Sequence, residues 1–330
     1  MEEWFPATCM MMGGIYVKDK RVKPILKMIL SNILLLLVIL FLVIAITGVP
    51  LDSGVTIFDG EKVTSIGFNQ ILESIKNNFK IILTGEAFGV EIQGKSVGLL
   101  LANTALKSSA IVFFGTLLAV LIGIPKGIID SRKRDQNGTL KLLQSLIPLS
   151  VPDIFTIALV QFLAIYLFKN KITILGIGPI PAYGSETILH AIYPIISIAI
   201  LPAAYISRIT ANVIEDNFTK PYILAARGKG CSNLQIIKNH MMKSIMFGVL
   251  SGFPTVMGII FSSLIIVERL FHFQGMGYYL INFYINTMLP PYEAGVAFTA
   301  FIVSLAIAYY LIFIILNILK DILLPKAKVY

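Results

Sequence analysis

Residues Gly89 to Ser96 read GVEIQGKS and satisfy G-x-x-x-x-G-K-[ST]. With that spacing a glycine-rich loop cradles nucleotide phosphates and a lysine reaches their outer oxygens. The chemistry on offer is ATP binding. The pattern fixes four positions and recurs by chance, so context decides. Such a loop joins a buried strand to a helix in a parallel sheet, and no soluble segment here is long enough to build that sheet. The distribution of basic residues also places the loop outside the cell, where ATP is scarce. A loop that binds no nucleotide is expected.

Other ionisable residues fall inside or beside apolar runs. Asp153 follows Pro152 near the middle of one. Intramembrane charges are costly and tend to face a cavity, and a proline frees a backbone carbonyl and can kink its helix. Pro152 and Asp153 are therefore pathway candidates; a structural partner for the acid, a lysine or a backbone amide, is the alternative. Gln144 and Gln161 suit helix–helix hydrogen bonds. Arg208 is either a gate residue or a side chain that snorkels to lipid headgroups. Glu268 is a further pathway or gate candidate, although a local or inter-subunit ion pair involving Glu268 and Arg269 is the simpler account. His190, His240 and His272 fall on different segments and form no metal-like cluster. Cys9 and Cys231 lack a partner motif and are expected as unpaired thiols. Phe271, Phe273, Tyr278 and Tyr279 suit an interfacial belt or the packing of an outer gate.

The elements that position these residues are spans. The chain has 330 residues, 56% hydrophobic and 14% charged, with mean hydropathy +0.83. A soluble domain carries about 25% charged residues, so a multispan membrane protein is expected. Six segments meet the roughly 20-residue requirement: about 28–48, 103–124, 141–168, 188–212, 246–267 and 294–318. The first apolar run is expected to be an anchor, since no small-residue cleavage site comes after it.

Basic residues gather before the first span, between the second and third, after the fourth and in the tail, while the alternate loops hold most of the acids. The positive-inside rule then puts both termini in the cytoplasm. The net charge of +9 belongs to those loops and gives no nucleic-acid signal. The expected organisation is a cytoplasmic segment 1–27, an anchor 28–48, an extracytoplasmic loop 49–102, a five-span core 103–318 with a cytoplasmic loop at about 214–245, and a cytoplasmic tail 319–330. Within the outer loop, FNQILESIKNNFKIIL has helical spacing and is either a short packed helix or one lying along the surface.

The cytoplasmic loop carries YILAARGKGCSNLQIIKNH, Tyr222 to His240. Pro221 suits a first helical turn, and Gly230 suits a left-handed terminator. Ser232 and Gln235 fit a capping box for a second helix that continues into the fifth span. Ala225, Ala226 and Gly228 omit bulky side chains, so another protein can approach, and Arg227, Lys229 and Lys238 can pair with its acids. Docking on a partner and lying on lipid headgroups are both compatible with this pattern.

The loop resembles the EAA loop of binding-protein-dependent ABC importer permeases, most closely the B-type subunit of the dipeptide/oligopeptide/nickel subfamily. Leu224, Ala225, Ala226 and Gly230 occupy the E-A-A-x-x-x-G positions, with Leu224 in place of the acid. The later I-x-L-P element is absent. FGVEIQGKSVGLLLANTALKSS, IGIPKGI, LIPLSVPDIF, HAIYPIISIAILPAAYISRIT and VERLFHFQGMGYYL resemble further family segments, with Gln274 where proline is usual. The resemblance covers roughly residues 85–325.

It implies an all-α type I-like permease with six spans, multi-pass in a bacterial cell membrane, that is no enzyme and carries no cofactor of its own. Its partners would be a second homologous permease, two ATPases that bind ATP and Mg at the cytoplasmic face, and an extracytoplasmic binding protein. Tyr222, Leu224–Gly230 and Ser232 would form the coupling loop. Peptides are the implied substrate, with a nickel or other metal complex as the alternative. An ATP-independent secondary transporter is a further reading, but such folds often show internal repeats, and none is visible here.

Overall fold

The computed structural model describes residues 19–48, 55–58, 61–64, 68–92, 94–133, 151–173, 176, 178–285 and 289–323. Ten α-helices among them carry the architecture. Helix α1 is Asp19–Thr47 and α2 is Phe68–Thr84. Helix α3, Val97–Lys133, is succeeded by α4, Asp153–Lys169, and α5, Ile192–Phe218. A short helix α6, Pro221–Gly228, and a single turn α7, Asn233–Ile236, lead through a π-helical turn at Ile237–Met241 into α8, Met242–Leu270. Helices α9, Met276–Ile285, and α10, Pro291–Leu323, complete the set.

Among the described residues, five helical stretches are long and apolar enough to cross a membrane: Leu30–Thr47, Val97–Ser131, Ile188–Phe218, Asn233–Leu270 and Tyr292–Lys320. The expected third span, 141–168, is represented by α4 with 17 residues; its residues 141–150, Gln144 among them, lie outside the described residues. The fold is all-α, as expected. The segment between α1 and α3 adds two antiparallel hairpins, β1 (Val55–Phe58) with β2 (Glu61–Thr64) and β3 (Glu91–Ile92) with β4 (Lys95–Ser96). Both lie between spans, where backbone can pair without facing lipid.

The core is built on α3, α5 and α8. Ile111, Ile206, Ile214, Ile245, Val256 and Ile260 are all enclosed in it. Small residues set the spacing: a Cβ at Gly123 would come within 2.8 Å of the Ala203 carbonyl and the Ile206 side chain. Spans approach this closely because, without a hydrophobic drive between helices, association relies on contact packing. A second cluster, with Ile81, Val97, Phe283, Ala297 and Phe301, joins α2, the start of α3, α9 and α10.

Helix α2 is a packed helix rather than one lying free on the surface. Asn78 on α2 is buried and donates to Thr299 Oγ1 of α10 at 3.2 Å and to the Ile44 carbonyl of α1 at 3.4 Å. The Tyr310 hydroxyl of α10 donates to the Asn32 carbonyl of α1. These bonds tie the anchor helix to the last span.

Candidate functional site

The segment between α5 and α8 is assembled by local rules. Helix α5 stops at Phe218, and Lys220 takes an extended backbone with Pro221 at the first helical position. Proline is tolerated there because its missing N–H would be unpaired anyway. Asn217 is buried at the end of α5 and accepts from the Tyr222 hydroxyl at 2.7 Å. Its own amide donates to the Val213 carbonyl at 2.6 Å. Tyr222 therefore seats α6 on the end of α5.

The far end of α6 closes with a Schellman pattern. Cys231 N–H bonds the Ala226 carbonyl at 3.2 Å and Gly230 N–H the Arg227 carbonyl at 2.9 Å. Gly230 has φ +80°, which a residue with a Cβ adopts only at a cost. Ser232 then caps α7 in a reciprocal box: Gln235 N–H donates to Ser232 Oγ at 3.4 Å and Ser232 N–H to Gln235 Oε1 at 2.8 Å. The chain continues through the π turn, which carries Lys238, Asn239 and His240 outward.

One expectation about this segment is corrected. Ala225, Ala226 and Gly228 do not share a surface. Ala226 is 6% exposed and packs inward with Ile223 into the main core. Ala225 and Gly228, three residues apart, lie on the open face with Leu224 (55% exposed) and Lys229. The i, i+3 spacing decides this, since 223 and 226 share one face and 225 and 228 another. Arg227 is not a free cation either: its guanidinium lies 4.9 Å from the Phe218 ring centroid.

The span residues divide by what each one meets. Pro152 and Asp153 start a helix rather than bend one. Pro152 is the N-cap of α4 in a non-helical conformation and Asp153 is the first residue. Asp153 Oδ2 accepts from Ser263 Oγ of α8 at 2.8 Å and Oδ1 from Ile154 N–H at 3.1 Å. A serine, not a lysine, meets this half-buried acid. Gln161 donates to the Leu270 carbonyl, a bond between α4 and α8. Arg208 is half-buried on α5, and its Nη1 has no hydrogen-bond partner among the described residues.

Glu268 is 0% exposed. No cation pairs with it among the described residues. Oε1 accepts from Ser108 Oγ of α3 at 2.6 Å, and Oε2 accepts from the N–H groups of Gly277 at 2.7 Å and Tyr278 at 3.2 Å. Ser108 Oγ in turn accepts from Met276 N–H at 2.8 Å. A Cβ at Gly275 would collide with this carboxylate. The expected ion pair is replaced by a knot joining α3, α8 and the start of α9, and Arg269 instead lies over the Tyr278 ring. Phe271 and Phe273 are buried in the core rather than forming a belt.

The histidines sit apart. His190 Nε2 is 2.9 Å from the exposed Glu186 carboxylate, His240 lies in the π turn, and His272 has φ +51° beside Tyr278. The amide N–H of Glu186 itself does most to hold that carboxyl below the usual carboxylate range, and His190 adds to it.

The GVEIQGKS loop is a hairpin. Glu91 pairs with Ser96 and Ile92 with Lys95, and Gly94 makes the turn with φ +76°. Val97 N–H bonds the Val90 carbonyl at 2.8 Å at the hairpin base, and α3 starts at Val97. The hairpin is antiparallel and has two strands, unlike the parallel sheet of a phosphate loop.

Sequence reasoning missed Ser108, Gly277 and Ser263 as partners of the buried acids. Small polar residues in apolar runs were the available signal, but sequence spacing across 160 residues could not pair them.

The family model described as "Binding-protein-dependent transport system inner membrane component" matches residues 144–329, more than half of the chain. The chain belongs to this family. Among curated relatives, this family member is 26% identical to the dipeptide transport system permease protein DppB of Bacillus subtilis over 50% of this chain and 51% of the relative. It is 28% identical to the inner membrane ABC transporter permease protein YejB of Escherichia coli O157:H7 over 69% of this chain and 62% of the relative. It is 24% identical to the glutathione transport system permease protein GsiC of Shigella flexneri over 48% and 49%. The chain thus spans about half to three-fifths of the length of the relatives it matches. Inward-facing structures of the MetNI methionine ABC transporter share the fold, with TM-score 0.52 and 17% identity over 68% of this chain and 95% of that one.

Proposed function

We propose that this chain is one of two permease subunits that together form the membrane pathway of an ATP-driven peptide importer. A binding protein outside delivers the peptide, and two ATPases below hydrolyse ATP with Mg. Both termini and α6 face the cytoplasm, in keeping with the basic loops. The observation that carries the reading is α6, a capped helix of eight residues whose outer face offers Leu224, Ala225 and Gly228. Such a face lets a partner groove close on the helix backbone. Motion of that partner passes through α7 and the π turn into α8, a continuous path from α6 to Glu268. The peptide assignment rests on relatives named for dipeptide, peptide and glutathione transport.

Asp153, with Ser263, is the pathway candidate that remains polar and half-buried at membrane depth. Glu268 holds the outer segment in place, and Arg208 stays a gate candidate because its Nη1 has no hydrogen-bond partner among the described residues.

The test is a mild-detergent pull-down of tagged chain from native membranes, with its co-purifying proteins identified by mass spectrometry. A second permease and ATPase subunits are the expected companions. A chain recovered alone that transports without ATP would sink the importer reading.

A further inference from the structure

Between the ends of α5 and α8 nearest α6 lies a recess of about 440 Å³. Packing creates it. Gly248 and Gly252 let α8 press onto Val213 and Ile209 of α5. Past Gly248 towards α6, the side chains of Lys243, Ser244 and Phe247 line the gap. Asp216, Lys220, Lys243 and Ser244 form its polar end. Among the described residues none of these four side chains makes a hydrogen bond or ion pair. Elsewhere the same i, i+4 spacing closes, with Lys126 Nζ 2.5 Å from Asp130 Oδ2. Asp216 and Lys220 share that spacing, but α5 ends at Phe218 and Lys220 is extended (φ −74°, ψ 143°), so this pair stays open.

The recess is graded. Val213 lies one turn from Asn217, and Phe247 one turn from Lys243, so the span side is apolar and the α6 side charged. Phe247 (51% exposed) and Met246 continue the apolar wall outward. Two lysines and one aspartate leave one net positive charge. A ligand that matches has a single phosphate, a hydrogen-bond donor beyond it, and hydrocarbon behind.

We propose that this recess binds the headgroup of an anionic glycerophospholipid of the phosphatidylglycerol type. Lys220, Lys243 and Ser244 take the phosphate, Asp216 accepts from the headgroup hydroxyls, and an acyl chain runs along Phe247. Basic recesses between spans at the cytoplasmic face suit anionic headgroups. The leaflet rests on the orientation proposed above; the binding itself does not. Bound lipid sits beside the Tyr222–Asn217 bond that seats α6, and so stiffens that seat.

The experiment is native mass spectrometry of the purified full chain in mild detergent, titrated with phosphatidylglycerol, phosphatidylcholine or inorganic phosphate. Wild type should retain one phosphatidylglycerol, and Lys220→Ala and Lys243→Ala should each weaken it roughly fivefold. Lys→Arg at both positions should restore retention, which separates charge from misfolding. Equal retention by the alanine variants overturns the proposal. So does displacement by inorganic phosphate, which would mark a free-anion site. Cross-linking of Lys220 or Lys243 to an acid of an ATPase in the assembled importer would assign the recess to protein contact instead and also overturn it. Absence of ATP-driven peptide transport by the wild-type assembly, with phosphatidylglycerol retention intact, would count against the importer reading alone.

Discussion

At its C-terminal end, the outer end in the proposed orientation, α8 buries Glu268 under three donors, and the glycines at 275 and 277 leave room for nothing else. At its inner end the same helix opens from a turn where Leu224, Ala225, Gly228 and Lys229 face outward. The outer end satisfies its polar groups within the chain. The inner end satisfies its backbone by capping and leaves the side chains of one face, Leu224, Ala225 and Lys229, exposed. Unengaged surface on a well-capped element suits docking, whereas a saturated buried carboxylate is a structural anchor. The same rule separates the two glycine-bearing motifs, since the hairpin at 89–96 closes on itself and the turn at 222–232 does not.

The contrast can be broken at the outer end first. Glu268→Ala strands the Ser108 hydroxyl and the Gly277 and Tyr278 N–H groups, at about 1–3 kcal/mol for each buried donor left unpaired. The expected result is the largest loss of thermal stability in detergent among these variants. An unchanged melting temperature would show that the knot holds nothing. Ala226→Trp comes next. Ala226 faces the core, so overpacking should cost about 1–3 kcal/mol and lower the yield of folded chain before any coupling is measured. Gly230→Ala should cost about 1–2 kcal/mol, the ordinary penalty for a Cβ in the left-handed region, again read as a shift in melting temperature.

Much of this was legible in the sequence where the determinants are local. Proline at the first turn, the left-handed glycine and the Ser232–Gln235 box each act over a few residues, and all three form. Five spans were readable from apolar length alone. What failed was long-range or depended on a face. Glu268 was expected beside a cation because sequence shows charge but not the Ser108 hydroxyl supplied from 160 residues away. Asp153 was placed mid-helix because an apolar run does not show where its helix begins. Ala226 was grouped with Ala225 because adjacency in sequence hides the roughly 100° rotation between neighbours on a helix. The hairpins were missed because strands of two to four residues carry too little alternation to register.

The smallest structural effect sharpens the contrast most. Ala225→Trp alters a solvent-facing position one residue from Ala226, so its effect on stability should stay within about 0.5 kcal/mol, as for surface changes generally. If α6 docks in a partner groove, the indole blocks close approach, and ATP-linked transport by the reconstituted importer should be lost while the melting temperature holds. Lys95→Ala, on the hairpin that mimics a phosphate loop, should leave both unchanged. Transport that survives Ala225→Trp but fails with Lys95→Ala would reverse the assignment of the two motifs. It would also require a two-stranded antiparallel hairpin to hold a phosphate.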